Sequence, residues 1–320
     1  MQQLIIDFIV IVLISVGIGI VAAMTGISGG AFKTPLLIIL FALTAEVASA
    51  ASLLSALFIA FVSTIVYYRQ NSQLIDYQVG IISVIATIPG TFVGIFFRTI
   101  AAHAHILRYL FGIILIPVAL KLIFAIGDDS EIEDRKKTKI GFSELDKIKL
   151  AATIIAIFMA GVSAGLLGLG GGTIIVPVLY IVLRFPMIMA AATSMFTMIF
   201  TTSAGSVVNY FYLAQSEQLL VFLYYGLIMG IGMIIGGFIG PRYASRVNEV
   251  FLQRIFGFLL IFPLIKMMNL GQFWLDPEGL NFVLATIGDT IIWLGIGIPL
   301  WVLSSRRIQT EVKDEHTIIA

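Results

Sequence analysis

The chain has 320 residues, of which 59% are hydrophobic and 12% charged, with a formal net charge of +1. Soluble domains carry about 25% charged residues, so this composition excludes an ordinary soluble protein and indicates a surface that faces lipid. The near-neutral charge argues against nucleic acid as a partner. With no cysteine and three histidines, of which His103 and His105 do not share a helical face, we expect neither a metal site nor a cofactor.

Nine apolar segments are long enough to cross a hydrocarbon core of about 30 Å as helices. They are residues 4–24, 46–68, 79–97, 107–125, 150–169, 187–209, 219–240, 250–268 and 282–303. The first lacks a basic n-region and a clear cleavage site, so we interpret it as a retained helix and not as a signal peptide. Two shorter apolar pieces, 35–43 and 177–183, each begin at a proline after a glycine-rich stretch, which predicts broken or re-entrant helices.

The two halves of the chain repeat one another. Pro35 and Pro177 are 142 residues apart, and the same offset pairs Gly26 with Gly168, Gly29 with Gly171, Gly30 with Gly172, Ser52 with Ser194 and Tyr68 with Tyr210. Further along, an offset of 146 pairs Gly80 with Gly226, Gly90 with Gly236, Gly94 with Gly240 and Pro117 with Pro263. The sequence leaves open whether the copies are parallel, as four crossings per repeat would make them, or inverted, as five would.

These patterns predict an all-α integral membrane protein with about nine transmembrane helices in two pseudo-symmetric repeats. We assign residues 1–125 to the first repeat, 126–149 to a charged linker and 150–268 to the second repeat. Residues 269–320 hold an additional transmembrane helix, which contains Asp289, and a charged tail.

The two glycine-rich loops are the first candidate site. Gly26–Pro35 and Gly168–Pro177 each lie between a long and a short apolar segment. Unpaired backbone is costly inside a membrane, whereas a helix N-terminus offers free N–H groups and partial positive charge to an anion. Two such loops would therefore form one anion site, and Lys33 beside the first loop favours it. The alternatives are close packing through small residues for the glycines and snorkelling to an interface for Lys33.

Hydroxyl side chains form a second candidate feature. Ser52 and Ser55 share one helical face, as do Ser194 and Thr197. Such hydroxyls can line a polar path, or they can bond to backbone between packed helices. The candidate substrate-binding residues are Gly26, Ser28, Gly29, Gly30, Lys33, Thr34, Ser52, Gly168, Gly170, Gly171, Gly172, Thr173, Thr193 and Ser194. Glu46 and Asn209 are candidates for gating or coupling, with Glu46 alternatively an acid in the first turn of a helix capped by Thr44.

The paired loops resemble those of the sulfite exporter TauE/SafE family. The Ala190–Ser194 sequence Ala-Ala-Ala-Thr-Ser, its weaker echo at Ala48–Ser52, Tyr67-Tyr68-Arg69 and the spaced glycines carry the same resemblance, which covers roughly residues 10–268. It implies a transporter of sulfite, sulfonates or related organic anions in the plasma membrane of a bacterium or archaeon. Two features depart from the family pattern: Ser28 stands where the second loop has Gly170, and the last span extends beyond the usual core.

We therefore predict a secondary transporter, acting as an exporter of a small sulfur-containing anion. Its expected partners are that anionic solute and membrane lipids, and a homo-oligomer is left open. An anion channel and a non-transporting scaffold or regulatory partner remain alternatives. The predicted spans contain no Ser/His/Asp set, no pair of aspartates and no His–Glu metal motif, so we do not expect an enzyme.

Overall fold

A computed structural model describes residues 2–99, 116, 119–124, 141–213, 218–268, 270–275 and 282–318, and over these residues it is helical without strands. The helices are α1 (Gln2–Thr25), α2 (Gly30–Phe41), α3 (Ala45–Gln70), α4 (Tyr77–Thr99), α5 (Lys147–Leu167), α6 (Gly172–Ile181), α7 (Met187–Leu213), α8 (Gln218–Ala244), α9 (Glu249–Met267), α10 (Leu270–Leu275) and α11 (Phe282–Ile318). Short 3₁₀ turns cover Ser72–Leu74 and Phe142–Glu144.

The prediction of an all-α membrane protein is confirmed. Seven helices of the described chain are long and apolar enough to cross a membrane, and α2 and α6 are shorter apolar helices. The count of nine is not confirmed, because most of the segment 107–125 lies outside the described residues. Over 250–268 the expected helix forms as α9, but it is not among the seven candidate spans.

The sequence suggested that the two short helices begin at Pro35 and Pro177, but they do not. They begin five residues earlier, at Gly30 and Gly172. The preceding residues, Gly29 with φ 70° and Gly171 with φ 87°, turn the chain through the left-handed region that glycine adopts readily. Pro35 is therefore the sixth residue of α2 and lies beyond its first turn.

Two compact units make up the chain: Met1–His105 with Ile132–Val247, and Ile106–Glu131 with Asn248–Ala320. In the first unit, α4 and α5 lie side by side through glycines. A Cβ on Gly90 would lie 2.2 Å from the carbonyl oxygen of Phe158, and one on Gly94 would lie 2.2 Å from that of Val162. These two glycines thus allow the two helix backbones to approach closely. Because both residue numbers rise together, α4 and α5 run parallel.

The same reasoning fixes the directions of the other long helices in this unit. Gly232 meets Val12 and Gly240 meets Ile20, so α1 and α8 are parallel. Along α3, Leu54 meets Gly226 and Phe58 meets Gly230, so α3 also runs parallel to α8.

Helix α7 runs parallel to α4 and antiparallel to α3. Gly80 of α4 meets Phe196 of α7, and further along the pair Thr87 and Thr201 share a 2.8 Å hydrogen bond. In contrast, Leu53 of α3 meets Gly205, which lies towards the far end of α7. It follows that α1, α3 and α8 run one way and α4, α5 and α7 the other. The corresponding helices α1 and α5 are therefore opposed, and the repeats are inverted.

The second unit contains a partly buried ion pair between α9 and α11. The Lys266 Nζ lies 3.0 Å from the Oδ2 of Asp289, which is 2% exposed. The other carboxylate oxygen accepts the backbone N–H of Gly271 at 2.8 Å, and Lys266 also donates to Thr286 at 2.7 Å. Asp289, whose role the sequence left open, therefore links the helices of this unit.

Candidate functional site

The two glycine-rich loops lie directly against each other in the first unit. A Cβ on Gly30 would lie 2.1 Å from the carbonyl oxygen of Gly168, and one on Gly172 would lie 2.3 Å from that of Gly26. These two contacts are equivalent under the 142-residue offset. The loops thus meet reciprocally, as surfaces related by a two-fold axis do, and only the absence of side chains permits this approach.

Serine hydroxyls hold each loop to the opposite repeat. The Ser52 hydroxyl donates to the Gly168 carbonyl at 3.3 Å, and its counterpart Ser194 donates to the Gly26 carbonyl at 2.9 Å. Ser28 adds a donation to the Leu169 carbonyl at 2.5 Å. The serines that the repeat singled out therefore satisfy loop carbonyls that would otherwise be buried without a partner.

Ser28 and Gly170 occupy equivalent positions and touch each other. A Cβ on Gly170 would lie 2.6 Å from the Cβ of Ser28. Where the two loops touch there is space for only one side chain, which explains why Ser28 in the first loop is matched by a glycine in the second. The Ser28 oxygen also accepts the N–H of Gly30 at 3.2 Å, at the start of α2.

Lys33 is buried beside the first loop, with 0% of its surface exposed. It therefore does not snorkel to an interface. Its ammonium group donates to the Ser52 carbonyl at 2.9 Å and to the Ser55 hydroxyl at 2.8 Å, both on α3. Within the described chain no carboxylate lies at ion-pair distance from this cation. The equivalent residue of the second repeat is the buried, apolar Ile175.

The other hydroxyls divide into two groups. Thr197, Thr201 and Thr202 each donate to a carbonyl one turn earlier in α7, at 3.1, 3.1 and 2.6 Å, so they bond to backbone as the packing alternative expects. The hydroxyls of Thr34 and Thr173, near the starts of α2 and α6, are buried without a hydrogen-bond partner among the described residues.

Arg98, which is not among the candidate residues of the sequence, interacts with both Asn209 and Glu46. The Arg98 guanidinium donates to the Asn209 side-chain oxygen and, at 3.3 Å, to the Ser49 hydroxyl. Glu46 interacts electrostatically with Arg98, and Thr44 caps its helix by accepting the Val47 N–H at 3.4 Å. Arg98 stands one residue beyond a predicted apolar segment, and this placement is the signal that could have identified it.

A cavity of about 680 Å³ opens at the end of the first unit where α3 finishes and α7 begins. Its wall combines the connection from Asn71 to Gln78 with Pro186, Ile188 and Met189. The backbone N–H of Asp76, in this wall, donates to the Thr193 hydroxyl at 3.1 Å. Thr193 directly precedes Ser194, whose hydroxyl binds the first loop at the Gly26 carbonyl. His103 and His105 lie outside the described residues.

Comparison with known proteins agrees with the interpretation of the chain as a membrane protein. A sequence profile described as Sulfite exporter TauE/SafE matches residues 11–267. The chain is similar to the "Probable membrane transporter protein YunE" of Bacillus subtilis, with 24% identity over 76% of this chain and 89% of that protein. It is also similar to the "Probable membrane transporter protein MJ0441" of Methanocaldococcus jannaschii, with 27% identity over 78% and 92%. No solved structure matches. The chain belongs to the sulfite exporter TauE/SafE family and is a multi-pass membrane transporter of a small solute.

Proposed function

We propose that the chain exports a small sulfur-containing anion, such as sulfite or a sulfonate, which binds between the two glycine-rich loops. The observation that carries this proposal is the fully buried amino group of Lys33, which has no carboxylate at ion-pair distance among the described residues. A cation removed from water and held by two neutral oxygens costs several kcal/mol. An anion bound at its third N–H would offset that cost, which favours an anionic solute over a neutral or cationic one.

The surroundings of Lys33 support the same solute. The α2 and α6 N-termini begin at the touching loops, and helix N-termini attract negative charge. The hydroxyls of Ser28, Ser52 and Ser194 now donate to loop carbonyls, and parting of the loops would free them for the oxygens of the anion. We assign the other candidates of both loops, with Thr34, Thr173 and Thr193, to the wall of this site.

The direct contact of the loops favours a carrier over a channel. Because Gly30 and Gly168 leave no gap between them, passage requires the loops to separate, and a solute-dependent conformational step limits flux in a carrier. The inverted repeats supply two equivalent arrangements for such a step. A channel or a non-transporting scaffold would not need this paired arrangement of the two loops, the short helices α2 and α6, and the serines.

The test is flux of sulfite, sulfoacetate and thiosulfate into proteoliposomes that contain the wild-type chain or the variant Lys33→Met. We expect saturable wild-type flux of at least one anion and a loss of about tenfold or more in the variant, since an anion would lose its buried charge partner. The melting temperature should not fall, because removing an unpaired buried charge relieves its desolvation cost.

Ile175→Met is the matched control, because it makes an apolar exchange at the equivalent buried position and should leave flux near the wild-type value. Wild-type rates in Lys33→Met, or no flux of any of the three anions, would contradict the proposal. Flux that never saturates would favour the channel.

A further inference from the structure

The Arg98 guanidinium, at the end of α4, connects three other helices of the first unit. It donates to Ser49 on α3 at 3.3 Å, to the Gly165 carbonyl on α5 at 3.4 Å, and to Asn209 on α7. All three acceptors are neutral. The Nε atom is buried and has no acceptor among the described residues, so the fork of N–H donors is incompletely used.

The positive charge of Arg98 is balanced by a carboxylate that does not contact it directly. Glu46, in the first turn of α3, acts on Arg98 electrostatically and also interacts with Tyr212. Across the described ranges, Arg98 forms no ion pair within 4.0 Å. The carboxylate is thus close enough to attract the guanidinium without occupying its donors. An anion could therefore bind reversibly to the guanidinium of Arg98.

Packing alone does not require an arginine at this place. The offset of 146 residues makes Ala244 the equivalent position at the end of α8, and this alanine is buried with 3% exposed. The second repeat therefore completes the corresponding helix contact without a charge. Lys33 shows the same asymmetry against Ile175. Both unmatched cations belong to the first repeat, and both bind the serine-bearing start of α3, where Ser49 and Ser52 are one turn apart.

We propose that Arg98, with Ser49 and Asn209, forms a second anion-binding station on the pathway, between the loops and the end of the unit where α3 begins. This inference rests on the proposed function, because it concerns the same anion. A guanidinium binds two oxygens of a sulfite or sulfonate group at once, which an ammonium does not do. Glu46 competes with the anion for Arg98, which keeps binding weak enough for release.

The test measures KM and maximal rate of sulfite flux in proteoliposomes for Arg98→Gln, Arg98→Lys and Glu46→Gln. We expect Arg98→Gln to raise KM about tenfold or more. Arg98→Lys should recover part of this loss, because it keeps the charge but not the fork. Glu46→Gln, which leaves Arg98 in place, should lower KM because it removes the competing carboxylate.

Arg242→Gln is the matched control, since Arg242 is an exposed arginine near the end of the equivalent helix α8 and donates only to its own helix at Phe238 among the hydrogen bonds described. It should leave KM unchanged. If Arg98 only holds helices together, its variants lower the melting temperature without changing KM, and Glu46→Gln is neutral. That result, with wild-type flux present and Lys33→Met defective, would overturn this inference and leave the proposed function standing. Absence of wild-type anion flux would overturn both.

Discussion

Ser28 and Gly170 show how an inverted duplication limits single residues. The two positions are equivalent and meet where the loops cross, so the side chain of one occupies the space that the other would need. A Cβ on Gly170 would be 2.6 Å from the Cβ of Ser28, and the φ of Gly170 is +67°. A substitution at Gly170 therefore carries two separate penalties, one steric and one conformational.

These penalties can be separated by a double-mutant cycle. We expect Gly170→Ala to destabilise the protein through overpacking, about 1–3 kcal/mol, and through the left-handed backbone, about 1–2 kcal/mol. Ser28→Gly relieves the overpacking and by itself costs the hydrogen bonds of Ser28 to Leu169 and Gly30, so Gly170→Ala should destabilise the Ser28→Gly background less than the wild type. Thermal unfolding in detergent gives the coupling. Additive effects of the two substitutions would show that the side chains do not compete for space.

At the level of the helices, the sequence predicted most boundaries within a few residues, because the length of an apolar run is set by the thickness of the bilayer. It misplaced the starts of α2 and α6, because a left-handed glycine can open a helix well before a proline. It also did not place Arg98 among the candidate residues, since contacts between α4 and α7 depend on helix directions that the apolar pattern does not contain. The glycine-rich loops stand out in the sequence because the 142-residue repeat contains them twice.

The short helices α2 and α6 begin at Gly30 and Gly172, each in contact with the loop of the opposite repeat, so these positions should tolerate no side chain. Gly30→Ala would place its Cβ 2.1 Å from the Gly168 carbonyl, and backbone on both sides has to move. We expect about 1–3 kcal/mol of destabilisation, together with loss of transport, measured by thermal unfolding and by flux in proteoliposomes.

Gly17→Ala is the control for this substitution. Gly17 lies in the interior of α1 with nothing within 4 Å of its Cβ position. Alanine should stabilise that helix by up to about 1 kcal/mol, because it loses less backbone freedom on folding. Equal melting temperatures and equal flux for the two variants would mean that the loops are not in close contact.

For the whole molecule, helix direction answers the question that the sequence left open. Opposed α1 and α5 mean that the two repeats enter the bilayer from opposite sides. Ala42 and Arg184 extend the equivalence of the repeats to the ends of α2 and α6, since they are 142 residues apart and share an unusual backbone conformation, with φ 51° and 55°. Because the repeats are inverted, we expect the equivalent turns after α2 and α6 to face opposite sides of the membrane.

Cysteine labelling tests this inversion directly, because the chain has no cysteine of its own. Ala42 and Arg184 are both exposed, and their matched backbone gives Ala42→Cys and Arg184→Cys similar conformational costs. A membrane-impermeant maleimide should label them from opposite sides of oriented vesicles. Gln73→Cys should react from the same side as Arg184→Cys, because Gln73 lines the cavity together with Pro186. Parallel repeats would instead expose Ala42→Cys and Arg184→Cys on the same side. That result would also contradict the proposal that two inverted loops form a single anion site.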